Sequence, residues 1–318
     1  MNQSRAFRFG ILTGGATSRR EWTDKARQAE DLGYSTLLID DHLNNPFAPL
    51  TALVSAADVT SSLRIGSLVF GNDFRHPVVL AKEAATLDIL TDGRFELGLG
   101  TGYWHEDYEQ SGITLQSPGT RVSRFEEAVQ VIKGLFVEDA LTYEGIYYTI
   151  HNLKGLPKPL QKPYPPLLLG GGSKRMLSIA AREANSVGVN VRTTAEGGLD
   201  LSSITPEATA QKIAWVQEAA GERFQDLELS ILVMVIVTDQ RRQAAEQTLR
   251  DFEMPTDEAS IDGILASPAY LFGTAEQIIG DLQTRRKRFG FSYIAVGDYI
   301  QADVMERFAP VVARLTGT

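Results

Sequence analysis

The sequence predicts a single (β/α)8 barrel spanning residues 1–318, a TIM barrel with insertions in the loops of its C-terminal face. Three observations carry that expectation. Short apolar runs alternate with longer amphipathic ones. The first four strand-like runs begin near residues 7, 35, 64 and 94, about 28–30 residues apart, and eight such runs occur in all, each followed by a helical pattern. This alternation calls for parallel strands, because parallel neighbours need a crossover, usually helical. A chain of 318 residues is long enough for two domains, but an α/β barrel takes that length in one. The rival reading of the same alternation is a doubly wound open sheet.

Phe7–Leu12 (FRFGIL) reads as the first strand. Glu21–Leu32 follows as a helix, since Trp22, Ala26, Ala29 and Leu32 share one face and Gly33 closes it. Ser35–Asp40 is a strand, and Pro49 opens a helix to Ala57. Arg64–Phe70 is the third strand, and Pro77 opens a helix to Leu90 that stops at Asp92-Gly93. Phe95–Leu99 is the fourth strand, with the amphipathic helix Val122–Phe136 after a loop. The second half is less regular. Leu141–Ile150 turns at Glu144-Gly145 and reads as a hairpin, and Pro157, Pro159, Pro163, Pro165 and Pro166 mark an extended connector. Strands are then expected at Leu167–Leu169, Ser186–Asn190, Leu227–Val237 and Phe291–Val296. Helices are expected at Ser173–Ala184, Pro206–Ala220, Arg241–Phe252, Ala275–Phe289 and Glu306–Leu315. The insertions fall near 101–120, 139–165, 191–204 and 253–272, and Gly197, Gly198 and Gly263 suggest mobility in the last two.

Composition excludes several functions. There is no cysteine, which removes disulfides, thiolate nucleophiles, iron–sulfur clusters and cysteine zinc sites. Forty acids against 31 bases give a net charge of −9, which argues against a nucleic-acid partner. Met1–Arg8 lacks the basic start and apolar core of a signal peptide, and no run approaches the roughly 20 apolar residues of a membrane span. A cytoplasmic protein with a small-molecule substrate and no membrane partner is the expectation.

Active sites of this fold gather where strands end. Asp40-Asp41-His42 follows the second strand, and histidine titrates near neutrality, so an adjacent carboxylate can orient His42 for proton transfer. The alternative is a histidine bonded to a loop carbonyl. Arg75 and His76 precede Pro77 and read as organisers of that turn. Gly98-Leu99-Gly100-Thr101-Gly102 follows the fourth strand, but its G-x-G-x-G spacing, with no good helix for about 20 residues, departs from the dinucleotide fingerprint. Small residues there let a flat ligand approach the backbone, and Tyr103 and Trp104 add aromatic surface or cap the barrel. Gly170-Gly171-Gly172-Ser173 ends the fifth strand and opens a helix, so its backbone N–H groups suit a phosphate, with Lys174 and Arg175 adding charge. A tight turn is the plainer account. His105-Glu106-Asp107 supplies ligand residue types without a metal-site spacing, and no metal is expected.

These stretches resemble the bacterial luciferase-like superfamily, in particular its coenzyme F420-dependent oxidoreductases. LLIDDH (37–42), FRHPVVLAKEAATLDILTDGRFELGLGTGYWHEDYEQSG (74–112), YEGIYYTI (143–150) and PPLLLGGGSKRMLSIAAREANSVGV (165–189) carry the likeness. The resemblance implies that Asp41 and His42 contact a deazaflavin ring and that His42 gives or takes a proton. It implies a non-prolyl cis peptide near Leu68-Val69 against the ring. It further implies that Thr101, Gly102 and Tyr103 line the cofactor and that Gly170, Gly171, Gly172 and Ser173 hold its tail phosphate. Tyr103 and Trp104 would shape the substrate pocket. The implied reaction is hydride transfer between F420 and a small organic substrate, with an FMN-dependent monooxygenase on the same barrel as the alternative. Relatives are often dimers, so a homodimer is within expectation. The sugar-phosphate dehydrogenase branch places an acid where this chain has Tyr103, so neither that substrate nor that proton donor carries over. Glu106 or Asp107 are the acids nearby, and the sequence does not place them.

Overall fold

The computed structural model describes residues 5–194 and 198–318. Eight parallel strands close on themselves: β1 (Arg8–Thr13), β2 (Thr36–Ile39), β3 (Arg64–Ser67), β4 (Phe95–Gly100), β5 (Leu167–Gly171), β6 (Ser186–Val189), β7 (Glu228–Val237) and β8 (Phe291–Gly297). Each pairs with the next, and β8 returns to β1, with Arg8 opposite Tyr293 and Leu12 opposite Gly297. The closed barrel replaces the open-sheet rival.

Period-two alternation divides every strand between two cores. On β1, Phe9 and Ile11 face the helices, in the large apolar layer that includes Trp22, Leu53 and Phe308. Leu12 instead joins Leu38, Leu168, Tyr293 and Ala295 in a plug inside the barrel. The N-terminal end of that plug is polar. Arg8 reaches Glu228 through two bonds of 2.8 and 2.7 Å and Glu96 at 2.8 Å, with its guanidinium 3.5 Å above the Tyr293 ring. Arg64 adds a bond of 2.6 Å to Glu96.

The helices start where caps and prolines place them. Ser18 caps α1 (Arg19–Asp31) by accepting from Glu21, and prolines open α2 (Pro49–Ala57) and α3 (Pro77–Leu90). Three features differ from the sequence expectation. The loop after β4 holds a short helix, α4 (His105–Ser111), and α5 runs over Pro118–Val137, from a Ser117 cap. The third strand, expected to run unbroken over Arg64–Phe70, breaks after Ser67 and resumes as Phe70–Gly71 against β4, around the cis Leu68–Val69 peptide that the resemblance implied. The 253–272 insertion contains a helix, Glu258–Ala266, and a strand, Tyr270–Gly273, that pairs in parallel with Met234–Val237. The lower half of β7 pairs with β6 and its upper half with this extra strand, so the wall splays between β6 and β7 at the C-terminal end. A second apolar cluster of Leu249, Ile261, Ile264 and Phe272 backs the splay. The hairpin (Leu141–Glu144 with Thr149–Leu153) and the proline connector join α5 to β5, so this insertion belongs to a helix-to-strand connection. Gly197 lies outside the described residues.

Candidate active site

The end of β2 delivers three polar side chains, and extended backbone sends neighbours to opposite sides. Asp41 is buried and does not orient His42. Both its oxygens are engaged, one by Gly71 N–H at 3.0 Å and both by the Arg75 guanidinium, with Nη2 to Oδ1 at 2.9 Å. Arg75 thus ties the end of β2 to the turn after β3, a larger role than organising its own turn. His76 does serve the turn, accepting from Val78 N–H at 3.3 Å to cap the helix (Pro77–Leu90).

The carboxylate that orients His42 comes from 65 residues away. Asp107 sits in the first turn of α4 and is buried. Its Oδ2 lies 2.7 Å from His42 Nδ1, and its Oδ1 accepts from Leu43 N–H at 2.9 Å. The His42 side chain is 34 % exposed, so the ring meets the mouth of the barrel. Tyr103 and Trp104 pack their rings edge-on to it, with centroids 5.9 and 5.6 Å away. Burial, then the charges of Asp40 and Asp107, push the Tyr103 phenol above its ordinary range. Asp40 is buried as well, and its carboxylate takes the Tyr299 hydroxyl, the Asn45 amide and His42 N–H, the last at 3.4 Å. Burial outweighs these bonds and raises the Asp40 carboxyl, and the Tyr299 phenol is raised in turn by burial and by Asp40.

Leu68 and Val69 flank the cis peptide and are only half-buried, although they pack on the interior plug. They form an apolar floor at the mouth, between the ends of β2 and β4. Thr101, Gly102 and Tyr103 continue that floor as half-buried residues, and Trp104 is exposed. Gly102 has a packing reason besides. Its φ is +72°, and a Cβ there would lie 1.9 Å from the Tyr108 hydroxyl, which donates to Asp73 at 3.0 Å.

At the end of β5, Ser173 caps α6 (Lys174–Glu183) by accepting from Met176 N–H. The glycines are explained mainly by close approach: a Cβ on Gly172 would lie 2.4 Å from the Arg192 backbone, and one on Gly170 2.7 Å from Gly188 O. The two expected cations are engaged elsewhere. Lys174 pairs with Glu218 at 2.9 Å, and Arg175 binds Gly119 O and Ser123 Oγ. The helix N-terminus therefore supplies backbone N–H groups at this turn without help from those two side chains.

Beside it, Lys212 is buried with its ammonium donating to Asn190 O at 2.6 Å and Ser203 O at 2.7 Å. Burial and then the charge of Arg192 pull it down to about 8. It ties the segment after β6 to α7 (Pro206–Ala220), over a cavity of about 10 Å³ in the splay.

The structure therefore brings His42, Tyr103 and Trp104 together, sets Leu68, Val69, Thr101 and Gly102 beside them, and places Gly170–Ser173 on the same end of the barrel. Sequence reasoning missed Asp107 as the partner of His42, and Tyr299 and Asp40 as a second pair. The signal for Asp107 was an acid in a loop after a strand end, without a spacing that linked it to residue 42. Among the described residues no group of three metal-ligating side chains comes together, and no helix is long and apolar enough to cross a membrane.

Comparison with known proteins bears out the luciferase-like family that the sequence resembles. The family model described as luciferase-like monooxygenase matches residues 6–290. An uncharacterized protein of Mycobacterium tuberculosis is 32% identical over 182 residues, 49% of this chain and 61% of its own length. An F420-dependent glucose-6-phosphate dehydrogenase of Kineococcus radiotolerans is 31% identical over 235 residues, 71% of this chain and 66% of its own length. The chain thus spans somewhat under two thirds of these relatives. Among solved structures, the coenzyme F420-dependent tetrahydromethanopterin reductase of Methanopyrus kandleri superposes with a TM-score of 0.78 at 19% identity, covering 96% of this chain and 97% of that one. The EDTA monooxygenase of Chelativorans sp. BNC1 superposes with a TM-score of 0.75 at 12% identity, covering 98% and 94%. Both share the fold.

Proposed function

The chain belongs to the luciferase-like monooxygenase family, and from that membership we propose that it is an oxidoreductase using the deazaflavin coenzyme F420 on a small organic substrate. The observation that carries the proposal is the His42 imidazole, held by Asp107 and partly exposed beside an apolar floor at the barrel mouth. That floor fits a flat ring: Leu68 and Val69 stay half-buried where a sealed core would cover them, and Thr101 and Gly102 leave the backbone approachable. The Gly170–Ser173 turn fits an anionic tail through the N-terminus of α6. The F420-dependent dehydrogenase among the relatives supports the choice of cofactor. When bound, a deazaflavin supplies a two-electron hydride carrier.

The chain's own residues do the rest. The floor and the glycine-bearing turns orient the ring. His42 Nε2, which has no partner among the described residues, holds or moves the proton that accompanies hydride transfer. Tyr103 and Trp104 wall the space around it. Tyr103 stands where the sugar-phosphate branch has its acid, which directs the proposal away from glucose 6-phosphate.

The test is titration of the folded protein with F420 and, separately, FMN, followed by turnover of the loaded enzyme and its His42→Gln variant. His42→Gln is expected to lower kcat by about 10²–10⁴-fold with little change in cofactor affinity. Unchanged turnover removes His42 from the chemistry. Affinity for FMN alone turns the proposal to the flavin monooxygenase, the reading the family model's description favours, and affinity for neither overturns both.

A further inference from the structure

We infer that Asp107 is the positioning residue of this site, holding the neutral His42 imidazole in its Nδ1–H tautomer so that Nε2 presents a bare lone pair to the mouth. The geometry leaves little freedom. An ionised carboxylate only accepts hydrogen bonds. Oδ1 already takes Leu43 N–H at 2.9 Å, and Oδ2 lies 2.7 Å from Nδ1, so the proton between them belongs to the imidazole. Asp107 is buried, with 3 % of its side chain exposed, and its bond to the Leu43 backbone fixes it against the segment that carries His42. Tyr103 and Trp104 hold the ring from two further directions. A histidine free in water favours the opposite, Nε2–H form, so the tautomer reports on Asp107 directly. A neutral ring set this way accepts a proton at Nε2 and returns it from there. The use of that nitrogen in turnover rests on the proposed function, whereas the tautomer does not.

The structure dictates what Asp107→Asn does. The amide oxygen takes over Leu43 N–H, and the NH2 group is left facing Nδ1 as a donor. The imidazole must then accept at Nδ1 and carry its proton on Nε2, so the tautomer inverts. The measurement is imidazole ¹⁵N NMR of the cofactor-free chain at a pH where His42 is neutral. The chain has four histidines, so the His42 signals are identified by their loss in His42→Gln. The wild type is expected to show a protonated Nδ1 and an unprotonated Nε2, Asp107→Asn the reverse, and Asp107→Glu the wild-type pattern. In the loaded enzyme Asp107→Asn should lose kcat by about 10²–10⁴-fold, as a wrong-tautomer variant does, with Asp107→Glu recovering part of it. A wild-type His42 with its proton on Nε2 overturns the inference whether or not the variants fold, and so does an Asp107→Asn protein whose His42 keeps the proton on Nδ1. Absence of cofactor binding would strike the proposed function and leave the spectra to decide this point.

Discussion

Asp41 shows how much a single carboxylate does at this mouth. It receives Gly71 N–H and both ends of the Arg75 fork, and these groups come from the segment that follows the cis Leu68–Val69 peptide. Removing it leaves a guanidinium that is 19 % exposed with the more distant Glu83, at 3.9 Å, as its remaining carboxylate. Asp41→Ala is therefore expected to cost about 3–5 kcal/mol, the usual penalty for orphaning one member of a buried pair. Urea denaturation measures it, and a loss below about 1 kcal/mol would put the pair among ordinary surface contacts. The sequence marked Asp41 and His42 because both follow a strand, and the structure sets both at that strand end, with Asp41 buried and His42 partly open to the mouth. It could not assign their partners. Adjacent positions suggested that Asp41 orients His42, but an extended chain points neighbours apart, and the true orienting acid lies 65 residues on.

At the scale of elements, connections between helices and strands carry the titratable contacts. Glu30, near the end of α1, accepts the backbone N–H groups of Ser61, Ser62 and Leu63 just before β3. Partial burial works against its ionisation, and these donors overcome it and lower the carboxyl from 4.5 to about 2. A folded pKa below the unfolded one contributes stability that is present above the unfolded value and lost as pH falls through the folded value. Glu30→Gln should thus melt below the wild type at neutral pH, and the gap should close between about pH 4.5 and 2. Lys212 is shifted in the same direction, but for a base the lowered pKa means that the fold disfavours the charged form. Its folded pKa near 8 lies below the unfolded 10.5, so its ammonium weakens the fold below pH 8 and that burden lifts as pH rises from 8 to 10.5. Differential calorimetry of wild type against Lys212→Met should show the wild type gaining over that window, and a constant difference would show that Lys212 titrates as an exposed lysine does. The elements themselves were legible where period and caps coincided, as at Pro49 and Pro77. Tyr270–Gly273 was not, because four apolar residues inside a long insertion give no alternation to read, and α4 was hidden by a glycine-rich stretch that resembled open loop.

For the molecule as a whole, the candidate site and a polar plug occupy opposite ends of one barrel. The barrel was readable from eight repeats of strand and helix, but the polar plug at its N-terminal end was not, since Arg8, Glu96 and Glu228 are separated by 88 and 220 positions and meet only when the sheet closes. Closure sets them on inward-facing sites at the starts of β1, β4 and β7, around the Tyr293 ring. Burial would raise Glu228, but the Arg8 guanidinium and the Ser186 hydroxyl hold its carboxyl below the ordinary range. Arg8→Met removes that guanidinium. Glu96 retains Arg64 at 2.6 Å, whereas Glu228 keeps the Ser186 hydroxyl as its near partner, so Glu228 bears most of the loss. The expected cost is about 3–5 kcal/mol, read as a lower urea midpoint. Pairing Arg8→Met with Glu228→Leu should recover part of it, because the second change removes the stranded charge. The folded fraction of Arg8→Met should keep its cofactor affinity, the inverse of His42→Gln, which should fold normally and fail in turnover. A double variant no more stable than Arg8→Met would show that the plug acts through the cation over Tyr293 and its fit inside the barrel, and that the ion pair adds little.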